Sequence, residues 1–235
     1  TTDTFTIVLN AQPDSDVVLS VSSGDTGEAT VSAGTLTFTS ANWDTPQTVT
    51  VTGVDDDIID GTITSTIDIA INDGASDNNF DSLSPQSITV SITDDDVAGF
   101  TIAETDGSTG VAESGTTDTF TVVLDAQPAS DVVLTISSDD TGEATVTSTL
   151  TFTSANWDTP QTVTITGADD DIIDGTITST ITLTIDDSNS DDDFDTVTDQ
   201  NISATTTDND VAGFTITETD GSTGVAESGT TDTFT

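Results

Sequence analysis

The sequence predicts an all-β chain of tandem modules. Apolar residues alternate with Thr and Ser at a period of two, and Asp, Gly, Asn and Pro cluster between the alternating runs. One motif series also returns at a fixed interval: Trp43 recurs as Trp157 within ANWDTPQTVT, and Asp55, Asp56 and Asp57 recur as Asp169, Asp170 and Asp171, each at a spacing of 114 residues. A period of that length is one ordinary domain with its own core, well beyond the roughly 20–50 residues of a solenoid repeat.

Residues 98–211 hold one whole period. It opens on GFTIAETDGSTGVAESG (99–115), an expected first strand. In 119–124, Phe120, Val122 and Leu124 alternate with Thr and Val; Val132, Leu134 and Ile136 follow, then Leu150 and Phe152, then Val163 and Ile165. The longest run, 175–186, sets Ile177, Ile181, Leu183 and Ile185 on one face and Thr on the other. A period of two with Thr on the wet face describes half-buried antiparallel strands, and the branched Cβ of Thr suits them. Turn residues fill 126–130, 137–143, 157–160, 168–175 and 186–195, where their side chains cap the backbone and glycine takes positive φ. The expectation is an immunoglobulin-like Greek-key sandwich of about seven strands per module. Residues 1–97 read as a first module lacking its opening strand, 98–211 as a complete second, and 212–235 as the first strands of a third or a donor segment. Both ends fall inside the motif TTDTFT, so the chain reads as a window on a longer array. Alternatively, the tail of one chain completes the head of the next by strand addition, with Glu227 beside Asp55–Asp57.

Charge narrows the function. The chain carries 44 acids and no Lys, Arg or His, a net charge of −44, so no side chain can neutralise them and any cation must come from solution. Of those acids 38 are Asp, the residue of turns and oxygen-rich calcium loops, and only six are Glu. Nucleic acid and anionic membranes are excluded as partners, because nothing basic is present to meet a phosphate. No apolar run reaches the roughly 18 residues of a membrane helix, and the absence of Cys removes disulfides and thiolate chemistry.

Three acidic groups recur: DDDIIDG (Asp55, Asp56, Asp57 and Asp60; Asp169, Asp170, Asp171 and Asp174), the junction acids (Asp94, Asp95 and Asp96; Asp208 and Asp210), and the glutamate of VAESG (Glu113; Glu227). Adjacent carboxylates about 4 Å apart repel by roughly 1 kcal/mol in water and about 4 kcal/mol near a protein surface. They are either solvated turns or ligands for a divalent ion, and their recurrence without a basic neighbour favours the ion. Calcium, which takes about six to eight oxygens from mixed loops, is the expected cofactor. Neither the EF-hand spacing nor the glycine-rich nonapeptide of calcium β-rolls is present.

The order VAESG, strand, SSDDTGEA, TLTF, QTVTITGADDDIIDG and terminal TDND is similar to Calx-β domains, in particular to Calx-β-like arrays of large bacterial surface and secreted proteins. The resemblance covers essentially the whole chain. It implies seven-stranded sandwiches that bind calcium at one tip, with Glu113, Asp169, Asp170, Asp171, Asp174, Asp208 and Asp210 as ligands of the second module. The chain departs from the family at 144–149 (ATVTST), where no acid follows the turn, which implies fewer or weaker ions.

The expected function is structural and non-catalytic: a calcium-rigidified extracellular or cell-surface stalk or filament, with neighbouring identical modules as partners. Calcium at each junction is expected to clamp Asp208 and Asp210 of one module against loops of its neighbour. The alternatives are an adhesin module that binds glycan or receptor directly, and accessory repeats of a large secreted enzyme. Trp43 and Trp157 read as turn anchors before sugar platforms. The paired carboxylates lie in repeated turns with no distinct cleft for glycoside hydrolysis.

Overall fold

A computed structural model describes residues 1–219 and 221–233. Asp220, Phe234 and Thr235, part of the expected third opening, lie outside the described residues. Sequence alternation becomes burial. In β11 (Val132–Ser138) Val132, Leu134 and Ile136 are buried while Thr135 and Ser137 face water; in β15 (Ile177–Ile185) Ile181, Leu183 and Ile185 are buried.

The strands of residues 98–211 form two facing sheets. One has the order β12 (Ala144–Val146), β14 (Gln161–Gly167), β10 (Thr117–Leu124), β8 (Phe100–Glu104). The other runs β13 (Thr149–Phe152), β11, β15, β16 (Gln200–Thr207), β9 (Thr109–Ala112). Pairing is antiparallel except between β16 and β9, which run parallel with Ala204 opposite Thr109. There are nine strands here where the alternation predicts about seven. The opening segment crosses from one sheet to the other between β8 and β9, and 144–152 does the same between β12 and β13. Gly167 permits the crossing: a Cβ there would meet the Ala112 carbonyl oxygen at 2.1 Å.

Residues 1–92 repeat the plan without that opening. β1 (Thr2–Ile7), β5 (Gln47–Gly53) and β3 (Ala29–Val31) form one sheet; β4 (Thr35–Phe38), β2 (Val17–Ser23), β6 (Ile63–Ile71) and β7 (Gln86–Ile92) form the other. Each sandwich encloses its own apolar core, one around Phe38, Val49 and Ile67, the other around Phe120, Phe152, Ile181 and Phe194. Trp157 packs against the second core and its carbonyl accepts the Leu124 N–H at 3.1 Å, as expected of a turn anchor.

Two buried acids are satisfied within the protein, mostly by backbone N–H groups. Asp77 accepts N–H bonds from Asp14, Ser15 and Asn79; Asp191 accepts from the Ser130 and Asp193 N–H groups and the Ser130 hydroxyl. The Asn79 and Ser15 bonds hold Asp77 below the ordinary carboxylate value against the opposing effect of burial. At Asp191 burial is the largest effect and works upward, but the bonds from Ser130 and Asp193 together outweigh it. Carboxylates that accept several N–H bonds stay charged without a cation. The excess of acid is therefore not uniformly metal-directed.

The two sandwiches meet through the loop after β5. The Asp57 carbonyl accepts the Gln127 N–H at 2.7 Å, Ile58 pairs with Gln127 in a parallel bridge, and Ile59 and Ala98 pack against the second core. The described residues contain no helix long and apolar enough to cross a membrane.

Candidate metal centres

Several of the acids expected from the sequence gather at one end of each sandwich, each time with one glutamate that was not expected. In the second, a carboxylate oxygen from each of Glu113, Glu143 and Asp174 lies within 4.8 Å of the others, and so does one from each of Glu113, Asp208 and Asp210. Three oxygens within 4.8 Å of one another need only a small closing movement to surround one ion, since two oxygens on opposite sides of a calcium ion at about 2.4 Å each are that far apart. Glu113 belongs to both groups, so the arrangement suits two adjacent ions sharing one glutamate. In the first sandwich Glu28, Asp56 and Asp60 form the matching group. They line a cavity of about 30 Å³, room for a small ion or a water or two, together with Asp55, Asp94, Asp95 and Asp96.

Local structure places each ligand. Glu113 follows β9 and is 1 % exposed, and its Oε2 accepts the Asn209 N–H at 3.0 Å. Its Oε1 has no hydrogen-bond partner, nor have Oε2 of Glu143 and Oδ2 of Asp210. Buried carboxylate oxygens without partners are costly to keep charged, and a bound cation would relieve all three. That is the fit the residues show for calcium: hard oxygen donors from several loops, converging and unneutralised. The junction aspartates tie the loops. Asp208 accepts from the Gly175 and Asp210 N–H groups, and Asp94 accepts from Asp60, Gly61 and Asp96.

Electrostatics agree with the geometry. Burial first, then the charges of Asp174 and Asp140, push the Glu143 carboxyl up. At Glu113 the Asn209 N–H works downward, but burial and the charges of Asp208, Asp170 and Asp174 together outweigh it and the net shift is upward. Burial and the Asp208, Asp171 and Asp169 charges raise Asp210. Asp96, Asp60 and Glu28 are raised the same way, by burial first and then by neighbouring aspartates. Asp94 and Asp208 are lowered by the N–H groups they accept.

These opposite shifts set the pH dependence without metal. A carboxyl whose folded pKa is raised penalises the folded state once ionised, so the penalty is absent below the unfolded value and complete above the folded one. The raised groups start from 4.5 for Glu and 3.8 for Asp, so in EGTA the melting temperature should climb as pH falls from 7 towards those values. Asp77, Asp94, Asp191 and Asp208 act the other way: their contribution is present above 3.8 and is lost as pH falls through their lowered pKa values. Melting curves in EGTA between pH 7 and pH 3 should therefore pass through a maximum on the acid side. A steady decline from pH 7 downward would contradict this balance.

Some expected ligands do not enter a group. Asp169 accepts the Asn209 side-chain N–H, Asp170 accepts the Ile172 N–H, and Asp171 contributes charge near Asp210. Asp57 supplies its carbonyl to the joint and charge near Asp96, and Glu227 is exposed and belongs to none of the groups among the described residues. Asp208 and Asp210 gather with Glu113 of their own sandwich, because β16 pairs with β9 and its end lies beside Glu113. The contact between the first and second sandwiches runs through the Asp57 carbonyl and Ile58–Ile59. Glu28 and Glu143 were not among the expected ligands. Their signal was present: both stand in a repeated TGEAT, and Glu is rare in this chain.

No protein-family model matches the chain, and no curated protein matches it. Among solved structures, domains 4 and 5 of the S-layer protein SbsC overlay 80 % of this chain and 70 % of their own, at 18 % identity and a TM-score of 0.39. The calcium binding domain CBD12 of CALX1.1 overlays 78 % of this chain and 73 % of its own, at 16 % identity and a TM-score of 0.33. Overlaps this loose carry no argument about function. The family resemblance of the sequence therefore stays an expectation, and the all-β sandwich architecture rests on the strands themselves.

Proposed function

We propose that this chain is a structural, non-catalytic stretch of an extracellular or cell-surface array, in which calcium at the acidic end of each sandwich stiffens a linear row of modules. The observation that carries this reading is Glu113: a buried carboxylate with an unpartnered oxygen, shared by two acid groups, in a chain without one basic side chain. Glu113, Glu143, Asp174, Asp208 and Asp210 would hold the ions of the second sandwich, and Glu28, Asp56 and Asp60 that of the first. When bound, the metal supplies positive charge that replaces mutual repulsion with shared attraction.

The joint supports the same reading. The loop that carries Asp56 and Asp60 also carries Ile58 and Ile59, which touch the next sandwich. Ordering the acids therefore orders the contact. Small-angle X-ray scattering with millimolar calcium and then with EGTA tests it. Calcium should narrow the distribution of maximum dimensions and give two beads at a constant separation. Identical curves under the two conditions would remove calcium from the mechanics of the joint.

A further inference from the structure

The last strand of the second sandwich carries a motif that takes no part in either acid group. Of the nine asparagines in the chain, only Asn201 is followed two residues later by Ser or Thr. Asn201, Ile202 and Ser203 form a sequon for N-linked glycosylation, with no proline in the middle. The first sandwich has Ser87, Ile88 and Thr89 at the matching places, 114 residues earlier, so the motif belongs to one copy and not to the repeat. Other asparagines work inside turns: Asn42 and Asn156 accept the Thr39 and Thr153 N–H groups, and Asn209 donates its side-chain N–H to Asp169.

The fold sets this motif where a glycan acceptor must stand. Along β16, Asn201 and Ser203 are exposed while Gln200 and Ile202 turn partly inward. A strand's period of two therefore puts the amide and the hydroxyl on one outer face. Their partners across β15 are Thr182 and Thr180, small side chains that leave the face open. The far edge of β16 is open over the same residues. β9 pairs with β16 only along 204–207, and among the described residues no strand pairs with that edge along 200–203. A groove of about 580 Å³ runs there instead, between 200–203 and the Ile102, Glu104, Gly107 and Ser108 wall. Both walls belong to the complete second sandwich.

We propose that Asn201 is the acceptor of an N-linked glycan that lies over the groove beside β16. In the transfer, Nδ2 of Asn201 bonds to the anomeric carbon of a lipid-linked oligosaccharyl pyrophosphate. The bond from that carbon to the pyrophosphate oxygen breaks, the lipid pyrophosphate leaves with the electron pair, and the amide proton goes to a base of the transferase. The glycan covers an unpaired strand edge, the place where a strand of another chain can add. Exposed edges are commonly guarded by lysine, and this chain has none. The inference rests on the extracellular reading, because such transfer acts on chains that cross a membrane.

The test secretes residues 1–235 behind a signal peptide from cells whose N-glycosylating transferase is shown to be active on a co-secreted reporter. Chymotryptic cleavage after Phe194 and Phe214 releases 195–214 as one peptide. Its mass should include a sugar chain that a glycan-releasing amidase removes, leaving an aspartate in place of Asn201. Asn201→Gln and Ser203→Ala should each abolish the addition, and Ser203→Thr should keep it. Both positions are exposed and lie outside the cores, so the melting curves of the unglycosylated variants should coincide. Asp199→Asn, two residues before the acceptor, distinguishes the enzymes: loss of the glycan marks a transferase that also reads the acid, and retention one that reads the sequon alone. A bare Asn201 on the secreted chain would overturn the proposal, and so would a glycan that persists in Ser203→Ala. Because the signal peptide imposes secretion, either result counts against the site and not against the extracellular reading, whose own failure would appear as a chain retained inside its native cells.

Discussion

Millimolar calcium should raise the melting temperature of the chain by about 10 °C or more, and EGTA should return it to the starting value. A ligand that binds only the folded state at about a hundred times its dissociation constant adds about 2.7 kcal/mol, and in a domain of about a hundred residues each kilocalorie moves the midpoint by about 4–8 °C. The effect should be this large because the uncompensated charge converges: Glu113, Glu143 and Asp210 each hold a buried oxygen without a partner. Magnesium should do much less, since it demands a compact octahedron and sheds water reluctantly. A melting temperature indifferent to calcium would make the clusters solvated charge and leave only the row of sandwiches.

Glu113→Gln should have opposite effects in the two conditions. Without calcium the variant should melt higher than the parent. The amide removes a buried charge that faces Asp208, Asp170 and Asp174, yet its oxygen can still accept the Asn209 N–H. With calcium the variant should melt lower, because both acid groups lose their shared ligand and affinity falls by about tenfold or more as the ligand charge drops. Glu143→Gln touches one group only and should lose about half of the calcium increment. Calorimetric melts of both variants with calcium and with EGTA decide the matter. If Glu113→Gln lowers the midpoint equally in both conditions, Glu113 is a packing residue and the two-ion reading fails.

The junction shows why loop chemistry was partly legible and loop partners were not. Runs such as DDDIIDG announced an acidic turn by composition alone, yet the pattern gave Asp56 and Asp57 the same standing. In the fold Asp56 faces Glu28 and Asp60, while Asp57 gives its carbonyl to Gln127 and joins no acid group. Ile58 and Ile59 looked like part of an acidic loop and prove to be its contact with the next sandwich. Nothing local marks them, since an apolar pair in a turn has no face until a neighbour supplies one.

From the residues alone follow the period of 114, the alternation that turns 132–136 and 177–185 into half-buried strands, and the lack of any basic side chain to neutralise the acids. Each is local or compositional: a strand's wet face is written in its own side chains, and charge is a sum over residues. Tertiary structure decided the rest. It set β9 parallel to β16, split the opening segment between two sheets, and brought Glu143 to Glu113 and Asp174 across 30 and 31 residues. Those neighbours depend on which strands pair over long separations, and a period of two is the same whichever partner a strand takes.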